Sequence, residues 1–154
     1  MTARLEIKRV ENIGRLMDWR MEVLAEVFGI DRPQPGCPLY EANLGYFNDK
    51  NNSYECFMAV MDGMEAGCGM ALYHDELPSP DNPSGRCAYI MNIYVRREFR
   101  RRHIATAIVS RLIAVAREKG CGKIYLETTG MARHLYESLE FTDLENMMIW
   151  KPTL

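Results

Sequence analysis

The sequence predicts an α/β fold, a mixed sheet flanked by helices, and three observations carry the prediction. Apolar residues recur at spacings of three and four over 12–28 and again over 104–116, as they do on amphipathic helices. Between these stretches lie "SYECFMAVMDGMEAGCGMALYH" and "RCAYIMNIYV", dominated by apolar and aromatic residues and separated by turn and loop signals. The order strand, helix, strand over 86–126 is that of a crossover unit, in which a helix returns the chain to a parallel strand.

In chain order, "RLEIKRV" alternates well enough for a first strand. Ile13, Leu16, Met17, Met21, Leu24 and Val27 then mark a helix from Asn12 to Phe28, stopped by Gly29. "DRPQPGCP" is a Pro/Gly loop, and "LYEANLGYFND" is a second short helix. Asp62-Gly63 divides the next run into two strands of a hairpin. "ELPSPDNPSG" is a loop, and "RCAYIMNIYV" is a central strand buried on both faces. Ile104, Ala105, Ile108, Val109, Leu112, Val115 and Ala116 form the apolar face of the next helix, with Gly120 placed to terminate it. "KIYLETT" predicts a strand, "MARHLYESL" a short helix and "NMMIWKP" a last strand.

A length of 154 residues fits one domain over 1–154, and 47% hydrophobic with 26% charged residues is an ordinary globular mix. The five cysteines are widely spaced with no C-x-x-C pair, so neither a disulfide framework nor a metal site is expected, and a cytoplasmic location is. No run approaches the ~18 apolar residues of a membrane span. Within a net charge of −2, Arg96, Arg97, Arg100, Arg101 and Arg102 with Glu98 concentrate +4, leaving −6 elsewhere. That pattern steers a polyanion to one spot. It does not suit nucleic acid, which calls for a wider basic stripe interleaved with aromatics.

The arginines precede a helix whose N-terminus is already positive, where cations are disfavoured. Helix N–H groups together with guanidinium forks make an anion site, and a pyrophosphate suits it best. The same run fits a solvated basic turn. The stretch "IYVRREFRRRHIATAIVSRLIAVAREKGCGKIYLE" resembles motif A of the GNAT N-acetyltransferase superfamily, [QR]-x-x-G-x-[GA]. "ARHLYESLEF" resembles its motif B, A-x-x-L-Y-x-x-x-G-F. Together, from Asn82 to Phe141, these stretches are similar to a bacterial group of unassigned acceptor.

The resemblance implies a mixed, mostly antiparallel central sheet with a splayed strand pair at the coenzyme A site. It implies acetyl-CoA as co-substrate, with no metal. Ile93, Tyr94 and Val95 would pair with the pantetheine arm. Arg100 takes the [QR] position and Ala105 the [GA] position, and Arg101, Arg102, His103, Ile104, Ala105 and Thr106 would hold the pyrophosphate. Arg96 or Arg97 would reach the 3′-phosphate. Two residues depart from the pattern: His103 and Glu140 stand where the family has glycine. A right-handed helical backbone at His103 would tolerate its Cβ with the imidazole outward, and an inward imidazole would add a donor to the phosphates.

By the same resemblance Tyr136 would protonate or hydrogen-bond the departing thiolate, while the residue by itself also fits an aromatic packed on an amphipathic helix. The family's strand glutamate is missing. Asn92, a polar residue in an apolar run, either orients a water or the acceptor or satisfies a strand bulge. Glu127, His74, Asp75 and Glu76 are candidate bases acting through water. Trp19, Arg20, Asp31, Tyr40, Glu41, Tyr46 and Phe47 lie where the acceptor site is usually built. Acids with aromatics would suit an amine, and Arg20 a carboxylate.

The expected activity is transfer of an acetyl group from acetyl-CoA to a primary amine of a small molecule or peptide. No nucleic-acid or membrane partner is expected, and a homodimer is possible. The alternative is a non-catalytic acyl-CoA-binding module.

Overall fold

The structure, a computed structural model, describes residues 2–153. Its elements are β1 (Leu5–Arg9), α1 (Ile13–Phe28), α2 (Pro38–Asn48), β2 (Ser53–Met61), β3 (Met64–Asp75), β4 (Arg86–Val95), α3 (Ile104–Glu118), β5 (Lys123–Leu126) and α4 (Arg133–Ser138), with one 3₁₀ turn at Arg97–Phe99. The five strands form one sheet in sequence order, β1-β2-β3-β4-β5. The first three pairings are antiparallel and the last, β4 with β5, is parallel.

Local chemistry sets these boundaries. Asn12 caps α1 by accepting the Arg15 N–H at 3.1 Å, and Gly29 ends the helix in left-handed backbone at φ 63°. Pro38 opens α2 at a position where a missing N–H costs nothing. Asp62 and Gly63, both at positive φ, join Met61 to Met64 in the tight turn that suits a twisted hairpin.

Alternation along the strands gives the sheet two apolar faces. On one, Cys56 and Met70 pack with Leu16, Met17, Met21 and Leu24 of α1 and Phe47 of α2. On the other, Phe57, Ala59, Ala71 and Ile90 pack with Ile104, Ile108, Val109 and Leu112 of α3 and with Tyr136 of α4. Gly69 lets α3 approach closely, since a Cβ there would lie 2.6 Å from the Ile108 side chain.

The expected last strand does not form. Residues 147–153 have no regular structure, and Met148 and Trp150 are 98% and 84% exposed. The β-prone composition was the whole basis for that strand, and composition expresses only fitness for a half-buried pleated surface. Here the segment buries nothing that would hold it in a ladder.

Candidate active site

The β3–β4 ladder pairs Cys68 with Tyr94 and Met70 with Met91, so Asn92 and Ile93 together oppose Gly69. This is a β-bulge, with Asn92 at φ 60°. Gly69 makes room for it, because a Cβ there would also sit 2.5 Å from Ile93 Cδ1. On the other side, β5 pairs with β4 only from Cys87 to Ile90, while β4 continues to Val95. Among the described residues Met91 to Val95 therefore have no strand partner on the β5 side, although the Val95 carbonyl accepts from Arg100 Nε. Ile93, Tyr94 and Val95 lie in this unpaired stretch, and the buried Tyr94 side chain packs with Trp19, Val23 and Cys68.

Beyond β4 the chain makes its 3₁₀ turn and enters α3. Arg101 (φ 64°) and His103 (φ 58°) are both left-handed, and His103 is the residue before the first helical turn. That corrects the expectation of right-handed geometry at His103: its backbone is of the kind glycine adopts freely and other residues adopt at a cost. Glu140, the other departure from the motif, is left-handed too, at φ 70°.

No side chain caps the N-terminus of α3 and no acidic residue lies in its first turn. The first helical bond recorded there runs from the Ala107 N–H to the His103 carbonyl. The N–H groups of Ile104, Ala105 and Thr106 thus have no acceptor within the helix, and they follow two left-handed residues, Arg101 and His103, a backbone of the kind that can turn amides toward an anion. Arg101, Arg102 and His103 are exposed around it.

The five arginines divide by role. Arg96 grips Glu22 of α1 with Nε and Nη2 at 2.9 and 2.8 Å, donates Nη1 to the Glu65 carbonyl and lies over the Trp19 ring. It is a clamp between α1 and the end of β4, so of Arg96 and Arg97 it is Arg96 that is not free to reach a phosphate. The Glu22 carboxyl falls below its ordinary pKa because Arg96 hydrogen-bonds it, against an opposing cost of burial. Arg100 donates Nε to the Val95 carbonyl at 2.9 Å. Arg102 lies over the Phe99 ring, and Arg97 and Arg101 are exposed.

A cavity of about 260 Å³ opens between α1, α2 and the sheet beside the bulge. Arg20 and Asn92 supply polar groups, and Tyr46, Phe47, Met70, Leu72 and Met91 supply most of the wall. Arg20 donates Nε to Asn43 Oδ1 at 2.9 Å and Nη1 to Asn92 Oδ1 at 2.8 Å. Asn92 therefore serves the bulge and faces the cavity at once. Of the expected acceptor-side residues, Arg20, Tyr46 and Phe47 gather here.

The others are elsewhere. Trp19 is buried under Arg96, Asp31 is exposed, and Glu41 accepts the Gly36 N–H ahead of α2. Tyr40 packs only partly buried against the α1–α2 core. Asn43, Met70, Leu72 and Met91 were missed. The signal for Asn43 was its helical position some four residues from Tyr46 and Phe47, whereas the strand residues read simply as core.

Tyr136 is 7% exposed, and burial raises its phenol above the ordinary value, keeping it protonated. It lines a second cavity of about 390 Å³ together with Leu126, the residue at which β5 leaves β4. Among the candidate bases, His74 pairs with the Tyr125 hydroxyl at 2.7 Å, and Glu76 is engaged by Asn82 and Lys123. Glu127 immediately follows β5, and it lies close enough to Tyr89 to help burial raise that phenol's pKa. Among the described residues, no cluster of three His, Cys, Asp or Glu side chains is placed to hold a metal, and no helix is long and apolar enough to cross a membrane.

Solved structures share this architecture. A predicted acetyltransferase of Clostridium acetobutylicum solved with acetyl-CoA is 25% identical, with a TM-score of 0.79 and 97% of this chain and 96% of that one covered. An aminoglycoside acetyltransferase from an uncultured soil metagenomic sample is 19% identical, with a TM-score of 0.74 over 97% and 96% of the two chains. Glucosamine-6-phosphate N-acetyltransferase from Arabidopsis thaliana is 16% identical, with a TM-score of 0.70 over 96% and 98%. Among curated proteins none matches the sequence at a significant level. The profile of the acetyltransferase (GNAT) family matches residues 15–141, from α1 through the bulge and the arginine loop to the end of the motif around Tyr136. On that match the chain belongs to the acetyltransferase (GNAT) family.

Proposed function

We propose that this protein moves an acetyl group from acetyl-CoA to a primary amine. The observation that carries the reading is the junction of a β4 stretch unpaired on one side with an uncapped, arginine-flanked helix N-terminus. The first offers backbone donors and acceptors to a pantetheine arm. The second offers amides and guanidinium groups to a pyrophosphate. Both sites fit one elongated co-substrate, with Ile93, Tyr94 and Val95 holding the arm and Arg100 to Thr106 the phosphates.

The thioester then lies beside the bulge, and the acceptor enters from the cavity that Arg20 and Asn92 line. The neutral amine nitrogen attacks the thioester carbonyl, forming a C–N bond and a tetrahedral oxyanion. Collapse breaks the C–S bond, and the thiolate takes its proton from the Tyr136 hydroxyl. Burial suits Tyr136 to this task by keeping it protonated. The proton lost by the amine passes through water to Glu127. Asn92, fixed through Oδ1 by Arg20, positions the acceptor at the bulge.

Thiol release measured over a panel of amines tests the reading. CoA release that depends on the amine supports a transferase. Tight acetyl-CoA binding with no release for any amine would instead mean a binding module.

A further inference from the structure

Arg20 is a cation without a counter-anion. Its guanidinium is largely buried between α1, α2 and β4, and burial pulls it below its ordinary pKa. Even so, an arginine stays charged. Its two recorded partners are the neutral amide oxygens of Asn43 and Asn92. Among the described residues, no carboxylate lines the cavity or pairs with Arg20. The one titratable neighbour that could favour its cation is the Cys68 thiol, which burial holds well above its ordinary pKa and therefore neutral.

A buried charge is costly unless paired, and elsewhere this protein pairs such groups, as Arg96 with Glu22 shows. A second unmet group lies alongside. Asn92 spends Oδ1 on Arg20, and its Nδ2 is buried with no partner among the described residues. Arg20 Nη2 makes no hydrogen bond to a described residue. Arg20 and Asn92 thus line a cavity whose remaining wall, Asn43 apart, is mostly the aromatic and aliphatic surface of Tyr46, Phe47, Met70, Leu72 and Met91.

From this we infer that the acceptor carries a carboxylate beside its amine on a small apolar body, as an apolar α-amino acid does. The carboxylate completes Arg20 and Asn92 Nδ2, and the apolar body fills the remaining wall. This rests on the acetyltransferase reading above. The same features argue against a polycationic acceptor. Its ammonium groups would meet Arg20 and no carboxylate, and the cavity, at about 260 Å³, is smaller than the ~300–1,000 Å³ of typical small-molecule sites.

The test uses the full chain and three probe sets. Acetyl-CoA binding by calorimetry checks the acetyltransferase reading by itself, independently of the acceptor. Binding of N-acetylphenylalanine and of its primary amide, each with CoA present, then isolates the carboxylate without needing turnover. The acid is expected to bind about 10- to 100-fold more tightly, the range for hydrogen bonds to a charged group. Initial rates of thiol release for phenylalanine, phenethylamine and spermidine should rank in that order.

Arg20→Met should remove the preference by weakening the acid and leaving the amide within about twofold, with acetyl-CoA affinity unchanged. Arg20→Lys should restore part of it. Equal binding of acid and amide, a preference for spermidine, or an Arg20→Met loss shared equally by both probes would overturn the inference. Intact acetyl-CoA binding beside any of these would leave the transferase reading standing.

Discussion

His103→Gly should stabilise the protein. At φ 58° His103 occupies the left-handed region, and among the described residues its ring makes no hydrogen bond that the substitution would remove. Left-handed backbone costs an L-residue about 1–2 kcal/mol, with histidine toward the low end because it is among the types enriched there. Glycine relieves that strain and adds about 0.5–1 kcal/mol of unfolded-state entropy to be lost on folding. The net expectation is a gain of up to about 0.5 kcal/mol, or at most about 1–2 °C in Tm for a chain of this size. His103→Ala is the informative control, because it keeps the Cβ and hence the strain.

Urea titration should therefore rank the glycine variant above both wild type and the alanine variant, with an unchanged m-value. Glu140→Gly, at φ 70° and without the enrichment histidine enjoys, should gain more, about 1 kcal/mol. Acetyl-CoA affinity of the His103→Gly protein should stay within about threefold of wild type if the backbone amides, and not the imidazole, face the phosphates. A glycine variant less stable than the alanine variant would refute the left-handed geometry. A tenfold loss of affinity would make the imidazole a phosphate ligand.

Arg101→Ala and Arg102→Ala should each weaken acetyl-CoA binding by about 1–2 kcal/mol, and far less for a pantetheine thioester lacking the nucleotide; equal losses for both ligands would refute a phosphate role. Arg96→Ala should cost about 2–3 kcal/mol of stability by leaving the mostly buried Glu22 unpaired, with acetyl-CoA affinity nearly unchanged in binding calorimetry. Because Glu22 titrates below its ordinary 4.5, the pair's contribution is fully present above that pH and is lost as pH falls through the lowered folded value; Glu22→Gln should flatten this part of the acid-unfolding profile. Tyr136→Phe should lower kcat by about 10², at the weak end of general-acid effects since a thiolate leaves readily, while folding and acetyl-CoA binding persist; full activity would make the ring a packing residue.

Most of the scaffold was legible because its signals are local. Asp62-Gly63 announced the hairpin, Gly29 and Gly120 the ends of α1 and α3, and the run 86–95 matched β4 residue for residue. Asn92 was legible in kind, since a polar residue inside an apolar strand needs an explanation, and the bulge with Arg20 supplies it. What could not be read depends on distance along the chain. Arg96 meets a carboxylate 74 positions away, so nothing near it in the sequence separates a structural clamp from a phosphate ligand. The segment at 147–150 shows the converse, for strand-prone composition does not supply a strand to pair with.

The two departures from the motif carry a further lesson. His103 was expected at right-handed backbone, although the pattern that it and Glu140 break has glycine at both places. A glycine in a motif marks either close approach or positive φ. Here both positions are left-handed, so the backbone path persists and the substituted residues bear the strain. Strain tolerated at His103 goes with the arrangement around it: Arg101 is left-handed as well, and the amides that follow have no cap.

Arginines crowd this positive helix end at an electrostatic cost, but the cost is smaller than five charges imply. Arg96 is neutralised by Glu22, and Arg100 is held on the Val95 carbonyl. Arg97, Arg101 and Arg102 are left to face solvent, beside N–H groups that no side chain among the described residues caps. Charge, orphan amides and backbone strain coincide within a few residues, and binding one dianionic pyrophosphate would resolve the first two together.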